Sequence, residues 1–300
     1  MNLQATAQVE HQSTPTISIK PTGGPLGADV IGFDMSRPAT PEEQKIIEKA
    51  WADHLVLRIR GQAGLSLQHL TQFSSAFGQL DKRPVRGVIK GGAQNDLPPE
   101  ITVISNIVVD GKPIGGLGAY EAVWHSDMTY KPQPPKGSCL YSVEIPPSGG
   151  GTSFANMYMA YERLPSELKN RIENLQCIHD ASRNSTGELR QGFEEINDPT
   201  KTVGAVHPVV RTHPVTYRKC LFLGRRRNAY LVGLPLAESE ALLDQLWQHA
   251  TKPDIVWTQE WEVGDAVLWD NRCTMHRRDA FDPQTRRLMY RTQIAGGEVV

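Results

Sequence analysis

The chain has 300 residues, of which 39% are hydrophobic, and this is enough for a substantial core in one large domain. Its formal net charge of −1 argues against binding to nucleic acid or to an anionic membrane through overall electrostatics. No apolar run approaches the roughly 18 residues of a membrane span, no signal-peptide core is present, and the four cysteines form no C-x-x-C pair, so the sequence predicts a cytoplasmic protein without a zinc site or a disulfide framework.

The first half of the chain predicts short strands and two helices. Thr40 and Glu43 have the spacing of a capping box, with a proline in the first turn, and so predict a helix start. Glycine, proline and polar residues dominate 83–118 and predict a long loop around one short strand. The predicted elements of this half are short strands within 17–33, a helix over 40–54, a strand at 55–59, a helix over 66–77 and a strand at 101–107.

The second half predicts three helices, a polar insert over 181–201 and a strand near the end. Leu242, Leu243, Leu246 and Trp247 fall on one side of an amphipathic helix. The predicted elements of this half are helices over 157–163, 166–175 and 236–249 and a strand over 287–294.

The order of these elements predicts the fold class. Strands and helices do not alternate regularly, which argues against a doubly wound parallel sheet. Short strands with Gly/Pro turns and a few outer helices favour a mainly β fold with peripheral helices, a double-stranded β-helix (jelly roll) of the cupin kind. We expect a single domain over 15–300 behind a flexible tail over 1–14.

Two motifs, Trp124-His125-Ser126-Asp127 and residues 269–276, offer metal ligands. In a strand, residues i and i+2 point to the same side, so His125 and Asp127 can reach one metal, and a strand folded back beside them can add His276. Two imidazoles and one carboxylate form the set that holds non-haem Fe(II) and leaves one face open. Taken singly, the His-x-Asp pair is more often a pair of surface residues, and His276 is as often a structural histidine.

Two arginines near the C-terminus suit the binding of acidic ligands. Arg287 and Arg291 are four residues apart in the predicted strand 287–294, so they share a face and lie about 13 Å apart. The planar guanidinium binds a carboxylate through two hydrogen bonds and stays charged at any relevant pH. The alternative is a pair of surface arginines on a solvated strand face.

The motifs together resemble the Fe(II)- and 2-oxoglutarate-dependent dioxygenases of the taurine dioxygenase and 2,4-dichlorophenoxyacetate dioxygenase (TauD/TfdA) family. The likeness is carried by residues 124–159 and 263–296 and extends to 27–34 and 210–214. It implies a double-stranded β-helix with the metal between its sheets. It also implies hydroxylation of a substrate carbon with Fe(II) as the metal, O2 and 2-oxoglutarate as co-substrates, and succinate and CO2 as products.

The resemblance implies roles for individual residues. His125, Asp127 and His276 match the three iron ligands of the family. Thr152, at the end of a Gly-Gly-Gly-Thr turn, matches the threonine that donates a hydrogen bond to a carboxylate of 2-oxoglutarate. Arg287, eleven positions after His276, matches the arginine that binds the distal carboxylate of 2-oxoglutarate.

Further positions concern the substrate and the wall of the site. Arg291 matches the family arginine that reaches the acidic group of the primary substrate. Trp269 is expected to wall the co-substrate site, with a core tryptophan as the equal alternative. Arg83 and Glu121 stand where the taurine enzymes carry other substrate-binding residues, so both are candidate substrate residues and taurine is not the expected substrate. The run 225–227 of three arginines favours a highly charged anion or a subunit interface, although such runs are usually solvated.

The expected activity is hydroxylation of a small organic acid, which we take to be an aryloxyalkanoate, a sulfonate or a related carboxylate. We expect a homodimer or homotetramer with no nucleic-acid or membrane partner. One alternative is a catalytically inactive jelly-roll binding protein, which should lack one of the metal ligands. The other is a cupin-type metalloenzyme with Zn or Mn that does not use 2-oxoglutarate, and it has no need of Thr152 or Arg287.

Overall fold

A computed structural model describes residues 17–83 and 97–300 of the chain. The expected tail over 1–14 and the part of the expected loop over 84–96 lie outside the described residues. Within the described part, no helix is both long and apolar enough to cross a membrane.

Strands dominate the described part of the chain. They are β1 (Ser18–Pro21), β2 (Ala28–Ile31), β3 (Val56–Ile59), β4 (Thr102–Ser105), β5 (Val108–Val109), β6 (Lys112–Pro113), β7 (Gly116–Leu117), β8 (Ala122–His125), β9 (Gly137–Glu144), β10 (Thr152–Asn156), β11 (Gln176–Ile178), β12 (Val206–Pro208), β13 (Val210–Thr212), β14 (Lys219–Leu221), β15 (Tyr230–Leu231), β16 (Val256–Gln259), β17 (Ala266–Asp270), β18 (Thr274–Arg278) and β19 (Leu288–Ile294). The α-helices are α1 (Pro41–His54), α2 (Leu67–Ser75), α3 (Met157–Glu162), α4 (Ser166–Ile172) and α5 (Leu236–Ala250). Single-turn 3-10 helices lie at Pro199–Lys201 and Pro253–Ile255.

Two sheets build the centre of the molecule. The larger has eight strands in the order β1-β2-β3-β17-β9-β19-β4-β7, and the smaller has four in the order β16-β10-β18-β8. The sheets pack against each other, as the rings of Phe154 on β10 and Trp269 on β17 lie 5.6 Å apart. Most neighbouring strands are antiparallel and far apart in sequence, which is the arrangement of a jelly roll. The predicted fold class is confirmed.

The helices cover the outside of the sheets. Helix α1 begins where the capping box predicts, because the Thr40 side chain accepts a hydrogen bond from the Glu43 N–H and the Glu43 carboxylate accepts one from the Thr40 N–H. Its buried face, which includes Ile47 and Trp51, packs with α2 against the outer side of the eight-stranded sheet. Helices α3, α4 and α5 bury their apolar faces in the other hydrophobic core, which lies between the two sheets and extends to β14.

The structure differs from the predicted elements most clearly in two places. Helix α4 ends at Ile172 rather than at 175, because the chain turns there, with the Leu175 N–H donating to the Ile172 carbonyl, and then enters β11. The expected loop over 83–118 contains β5, β6 and β7 in addition to β4. The hairpin of β5 and β6 is closed by Asp110 and Gly111, both with positive φ, which is the geometry that a two-residue hairpin turn requires.

Candidate active site

Strand pairing brings two of the predicted metal ligands together. Strands β8 and β18 are antiparallel neighbours, and His125 lies directly opposite His276. Their rings are 4.2 Å apart between centroids, on the face of the four-stranded sheet that looks toward the eight-stranded sheet. This pairing brings together His125 and His276, although the two predicted ligands lie far apart along the chain.

Asp127 also lies beside the two histidines, but it belongs to a turn and not, as the sequence predicted, to the strand. Strand β8 ends at His125, and residues 127–130 form a turn. Asn271 fixes this turn, since its Oδ1 accepts a hydrogen bond from the Asp127 N–H at 2.6 Å and its Nδ2 donates to the Asp127 carbonyl at 2.9 Å. The carboxylate is thereby held beside the two imidazoles by a residue in the loop that precedes β18.

The three side chains are spaced as ligands of one ion. Asp127 Oδ1 lies 3.7 Å from His125 Nε2 and 4.0 Å from His276 Nε2. The potential ligand atoms of the three residues all lie within 4.8 Å of one another, and all three residues are buried. His125 Nδ1 lies 2.7 Å from the Val123 carbonyl, which requires its proton on Nδ1 and leaves the Nε2 lone pair for a metal.

The protonation states of the three residues also suit a cation. Burial lowers the pKa of His276 to about 4, and burial with the nearby His276 lowers the pKa of His125 well below its ordinary value. Both imidazoles are therefore neutral at neutral pH, which is the form that binds metal. Burial works to raise the pKa of Asp127, but the charge of Arg291, with the hydrogen bond from Ser138, prevails and lowers it. Its carboxylate is ionised and accepts hydrogen bonds from Ser138 Oγ at 2.9 Å and from Arg291 Nη1 at 3.1 Å.

A cavity between the two sheets opens beside this cluster. Its empty space, with the open mouth included, is about 450 Å³. Apolar and polar side chains converge on it, and they are those of Ile104, Leu117, Ala122, His125, Leu140, Thr152, Ser185, Trp269, His276, Arg278, Arg287 and Arg291. The metal-ligand cluster and both predicted carboxylate-binding arginines thus face one space.

Arg287 is the most unusual group in this cavity. It is 1% exposed, yet Nε and Nη1 have no hydrogen-bond partner within the part of the chain that the structure describes. Burial, followed by the charge of Arg278, lowers its pKa to about 9. Arg287 lies one residue before β19 rather than within it, and its backbone N–H donates to Asn106 Oδ1 at 2.9 Å. A buried guanidinium without an acidic partner is a site for an anion that comes from outside the chain.

Two more predicted residues lie at the cavity. Thr152 begins β10, and its Oγ1 accepts a hydrogen bond from Trp261 Nε1 at 3.0 Å. Trp269 is 1% exposed, and its ring lies 4.9 Å from the His276 ring between centroids. Trp269 is therefore both a core residue and a wall of the cavity, so the two interpretations of this tryptophan do not exclude each other.

Arg83 and Glu121 are not brought to the cavity. The Arg83 guanidinium donates to the carbonyls of Pro98 and Ile101 at 2.8 and 2.9 Å. Glu121 is half exposed and lies 3.7 Å from Arg277, on the outer side of the sheet. Sequence position alone suggested a substrate role for both, but the direction of each side chain is set by partners that the local sequence does not reveal.

Two further residues at the cavity, Arg278 and Ser185, were not predicted from the sequence. Arg278 lines the cavity two positions after His276, and its Nη2 donates to the Leu117 carbonyl at 2.9 Å. Ser185 reaches the cavity from the polar insert, where its carbonyl accepts a hydrogen bond from the Val123 N–H at 3.0 Å. The periodicity of β18 could have indicated Arg278, since residues i and i+2 share a face.

A second cluster of ligand-type atoms, at His213, Asp270 and Cys273, has a structural explanation. The Asp270 carboxylate accepts hydrogen bonds from His213 Nε2 at 3.1 Å and from Arg272 Nη2 at 2.6 Å. Burial raises the pKa of the Cys273 thiol well above its ordinary value, which favours the neutral thiol. This cluster stabilises the turn between β17 and β18.

Comparison with known proteins agrees with this site. The sequence model of the taurine catabolism dioxygenase TauD, TfdA family matches residues 18–293. Pentalenolactone F synthase of Streptomyces avermitilis is 31% identical over 288 residues, which cover 89% of this chain and 90% of the relative. The alpha-ketoglutarate-dependent 2,4-dichlorophenoxyacetate dioxygenase of Cupriavidus pinatubonensis is 35% identical over 290 residues, which cover 92% of this chain and 96% of the relative.

A solved structure gives the same relationship in three dimensions. The crystal structure of AAD-2 in complex with Mn(II) and N-oxalylglycine matches with a TM-score of 0.75 and 33% identity, and the match covers 95% of this chain and 99% of that one. The chain therefore belongs to the TauD/TfdA family, and it is a dioxygenase that depends on Fe(II), 2-oxoglutarate and O2.

Proposed function

We propose that His125, Asp127 and His276 bind the Fe(II) ion of this dioxygenase. Two imidazoles and a carboxylate form the ligand set of non-haem Fe(II) oxygenases. The three side chains are buried, spaced for one ion and in the protonation states that bind metal. When bound, Fe(II) with 2-oxoglutarate and O2 supplies the oxidising power that hydroxylates a substrate carbon, while 2-oxoglutarate becomes succinate and CO2.

We further propose that 2-oxoglutarate binds with its distal carboxylate on Arg287 and with a hydrogen bond from Thr152. The observation that carries this proposal is the buried guanidinium of Arg287, which has no acidic partner among the described residues and faces the cavity of the metal-ligand cluster. A carboxylate placed there gains a charge-assisted pair in a site of low dielectric. A metalloenzyme without 2-oxoglutarate gives Arg287 no role, and an inactive binding protein should lack one of the three proposed ligands, all of which are present.

The remaining chemistry of the chain is positioning and exclusion of water. Ser138 and Arg291 hold the Asp127 carboxylate by hydrogen bonds, and the proton on His125 Nδ1 is held by a backbone carbonyl. Trp269 and Leu140 close the cavity with apolar surface. A ligand set with fixed orientation in a dry pocket directs the oxidation to one bound molecule.

For the primary substrate we propose a small organic acid, such as an aryloxyalkanoate or a related sulfonate. Arg291 lines the cavity, and its Nε is buried with no hydrogen-bond partner within the described residues, so its guanidinium retains capacity beyond the bond to Asp127. The Cupriavidus relative is named for 2,4-dichlorophenoxyacetate, which carries such an acidic group. An amide or ester of the substrate is therefore expected to be a poor substrate.

We also propose a single domain over 15–300 and a cytoplasmic location. The cysteines of the chain are buried free thiols, which supports a reducing compartment, and they are Cys139, Cys177, Cys220 and Cys273. A homodimer or homotetramer stays a prediction, which light scattering of the purified protein tests.

Succinate formation tests the proposed function. The purified protein, supplied with Fe(II), ascorbate, O2 and 2-oxoglutarate, is expected to release succinate in proportion to substrate when phenoxyacetate and related acids are added. His276→Ala is expected to abolish this release and serves as the control for uncatalysed decay of 2-oxoglutarate. Succinate formation that persists in His276→Ala contradicts the ligand assignment, and equal turnover of an acid and its amide contradicts the substrate class.

A further inference from the structure

The three arginines at 225–227 have three different environments. Arg226 lies against α5, with its Nη2 2.8 Å from Glu240 Oε2. Arg227 is exposed, with its Nη2 3.4 Å from Glu195 Oε1. Arg225 is only 9% exposed. Arg226 and Arg227 therefore form ion pairs at the surface, whereas the side chain of Arg225 is buried.

The backbone places Arg225 beside the proposed metal ligands. It forms an isolated antiparallel bridge with His125, and His125 lies opposite His276 on its other side. Residues that lie directly opposite each other in an antiparallel pair project from the same face of the sheet. The side chains of His276, His125 and Arg225 thus project from one face of the sheet, where His276 and His125 line the cavity, and neighbouring strands there are about 4.8 Å apart.

Gly224 fixes this position. Its carbonyl accepts a hydrogen bond from the Ser126 N–H at 3.1 Å, and its φ of +65° is one that residues with a Cβ seldom adopt. A Cβ added at Gly224 lies 2.0 Å from His179 Nδ1. The segment that carries Arg225 is therefore pinned between the end of β8 and the buried ring of His179.

The charge of Arg225 is not neutralised by an ion pair within the described residues. Its Nη1 donates to the Arg183 carbonyl at 2.7 Å, and its buried Nε has no hydrogen-bond partner there. Asp180 is near enough to favour the charged form, but its carboxylate oxygens accept hydrogen bonds from the Ser182 N–H and from Asn228 Nδ2. Burial of this charged guanidinium, like that of Arg287, costs free energy, and an anion from outside the chain can offset this cost.

A second guanidinium comes from the neighbouring polar insert. Arg190, in the polar insert, lies over the Tyr130 ring at 4.0 Å and forms no ion pair within the part of the chain that the structure describes. Burial and then the charge of Arg190 lower the pKa of Arg225 to about 10, against the attraction of Asp180, Tyr130 and Asp127. The Arg190 N–H donates to the Ser182 carbonyl at 2.7 Å, and the next residue, Arg183, supplies the carbonyl that binds Arg225. Two like charges on such neighbouring segments favour an anion that pairs with both.

We infer that Arg225 and Arg190 form a second anion subsite, on the side of the metal-ligand row away from Thr152, which binds an acidic group of the primary substrate. This inference rests on the proposed function, which assigns Arg287 to 2-oxoglutarate and Arg291 to one acidic group. The preferred substrate is then an organic dianion that carries one acidic group for Arg291 and another for Arg225.

The balance of charge in the cavity supports a dianion. The two charges of Fe(II) and the charge of Arg287 are neutralised by Asp127 and by the dianion 2-oxoglutarate. Arg291 and Arg225 are then left with positive charge, and Arg278 adds to it while donating to backbone carbonyls. A substrate with two negative charges matches this excess better than a substrate with one.

A matched pair of compounds tests the inference by binding alone. Phenoxyacetate carries one acidic group, and 4-carboxyphenoxyacetate carries a second one at the far end of the ring. Calorimetry on the full chain, loaded with Mn(II) and N-oxalylglycine, is expected to give at least about tenfold tighter binding of the dianion. Arg225→Gln should remove this advantage, so that the two compounds bind with equal affinity. Arg190→Gln should reduce it, and Arg227→Gln, in the same run but on the surface, should retain it.

The outcomes separate this inference from the proposed function. Equal affinity for the two compounds, no binding of the dianion, or an advantage that survives in folded Arg225→Gln overturns the subsite. If Arg225→Gln does not fold, an undiminished advantage in Arg190→Gln overturns it instead. Failure of the wild-type protein to bind N-oxalylglycine contradicts the proposed function, whatever the result with the dianion.

Discussion

Replacing Arg287 by methionine should make the ligand-free protein more stable and unable to bind 2-oxoglutarate. Arg287 is 1% exposed, and burial lowers its pKa to about 9. At pH 7 the group is protonated in the folded and the unfolded state, so the folded state carries the whole cost of burying the charge, roughly 5 kcal/mol. Methionine keeps an unbranched chain beside Phe281 without this charge, and we expect the free energy of unfolding to rise by about 1–3 kcal/mol.

The same substitution should remove most of the affinity for 2-oxoglutarate. Loss of one partner from a buried charge pair costs about 2–5 kcal/mol, which corresponds to a rise in Kd of roughly 30-fold to several thousand-fold. Calorimetry of the Mn(II)-loaded protein with 2-oxoglutarate measures this change, and urea unfolding without ligand measures the stability. The control is Arg286→Met, because Arg286 is exposed and pairs with Glu144 at 2.7 Å, so both quantities should stay near the wild-type values. Unchanged affinity in Arg287→Met refutes the assignment of the co-substrate site, and a large loss of stability refutes the charge argument.

Three further predictions concern the proposed metal ligands and the segment around Gly224 and His179 that packs beside them. His125→Ala and His276→Ala should each weaken Mn(II) binding in calorimetry by more than about 100-fold, because a ligand is lost, and wild-type affinity in either variant contradicts the triad. Gly224→Ala should lower the free energy of unfolding in urea by about 1–3 kcal/mol, because its φ is +65° and a Cβ there lies 2.0 Å from His179; an unchanged midpoint shows that this segment is not pinned. Burial lowers the pKa of His179 to about 3, so between about pH 6.5 and pH 3 the unfolded state takes up a proton that the folded state refuses, and stability falls as the pH falls. His179→Leu should flatten this decline in urea unfolding at pH 7 and pH 5, and an equally steep decline in the variant contradicts the assignment to His179.

Local rules predicted the parts of the fold that local interactions determine. The capping box at Thr40 and Glu43 gave the start of α1, because both hydrogen bonds of the box lie within four residues. The apolar face of α5 was likewise visible in its periodicity, and the helix ends one residue beyond the expected His249. The expectation that a strand folded back beside β8 carries His276 was also correct, because antiparallel pairing is the simplest way to join ligands that are distant in sequence.

Contacts between distant segments determine the side-chain positions that the sequence did not predict. Asp127 is held by Asn271 in a turn, and neither the turn nor its partner follows from the His-x-Asp spacing. Arg225 sits in a run that is typical of a solvated surface, yet the bridge to His125 turns this one residue inward. Arg83 shows the reverse case, since backbone carbonyls of the segment 97–101 take up its guanidinium. Sequence patterns identify the chemistry of a side chain, but the pairing register determines where it points.

The pairing of β8 with β18 also determines when the protein can acquire its metal. A ribosome releases the chain from the N-terminus, so His125 and Asp127 emerge long before His276. Until β18 has been made and inserted between β10 and β8, the three proposed ligands cannot meet, and the proposed site consists of His125 and Asp127 alone. The proposed three-ligand site thus exists only once both sheets have formed, and we expect iron to bind after synthesis. The order of strands in the sheet therefore delays assembly of the proposed metal site until β18 is in place.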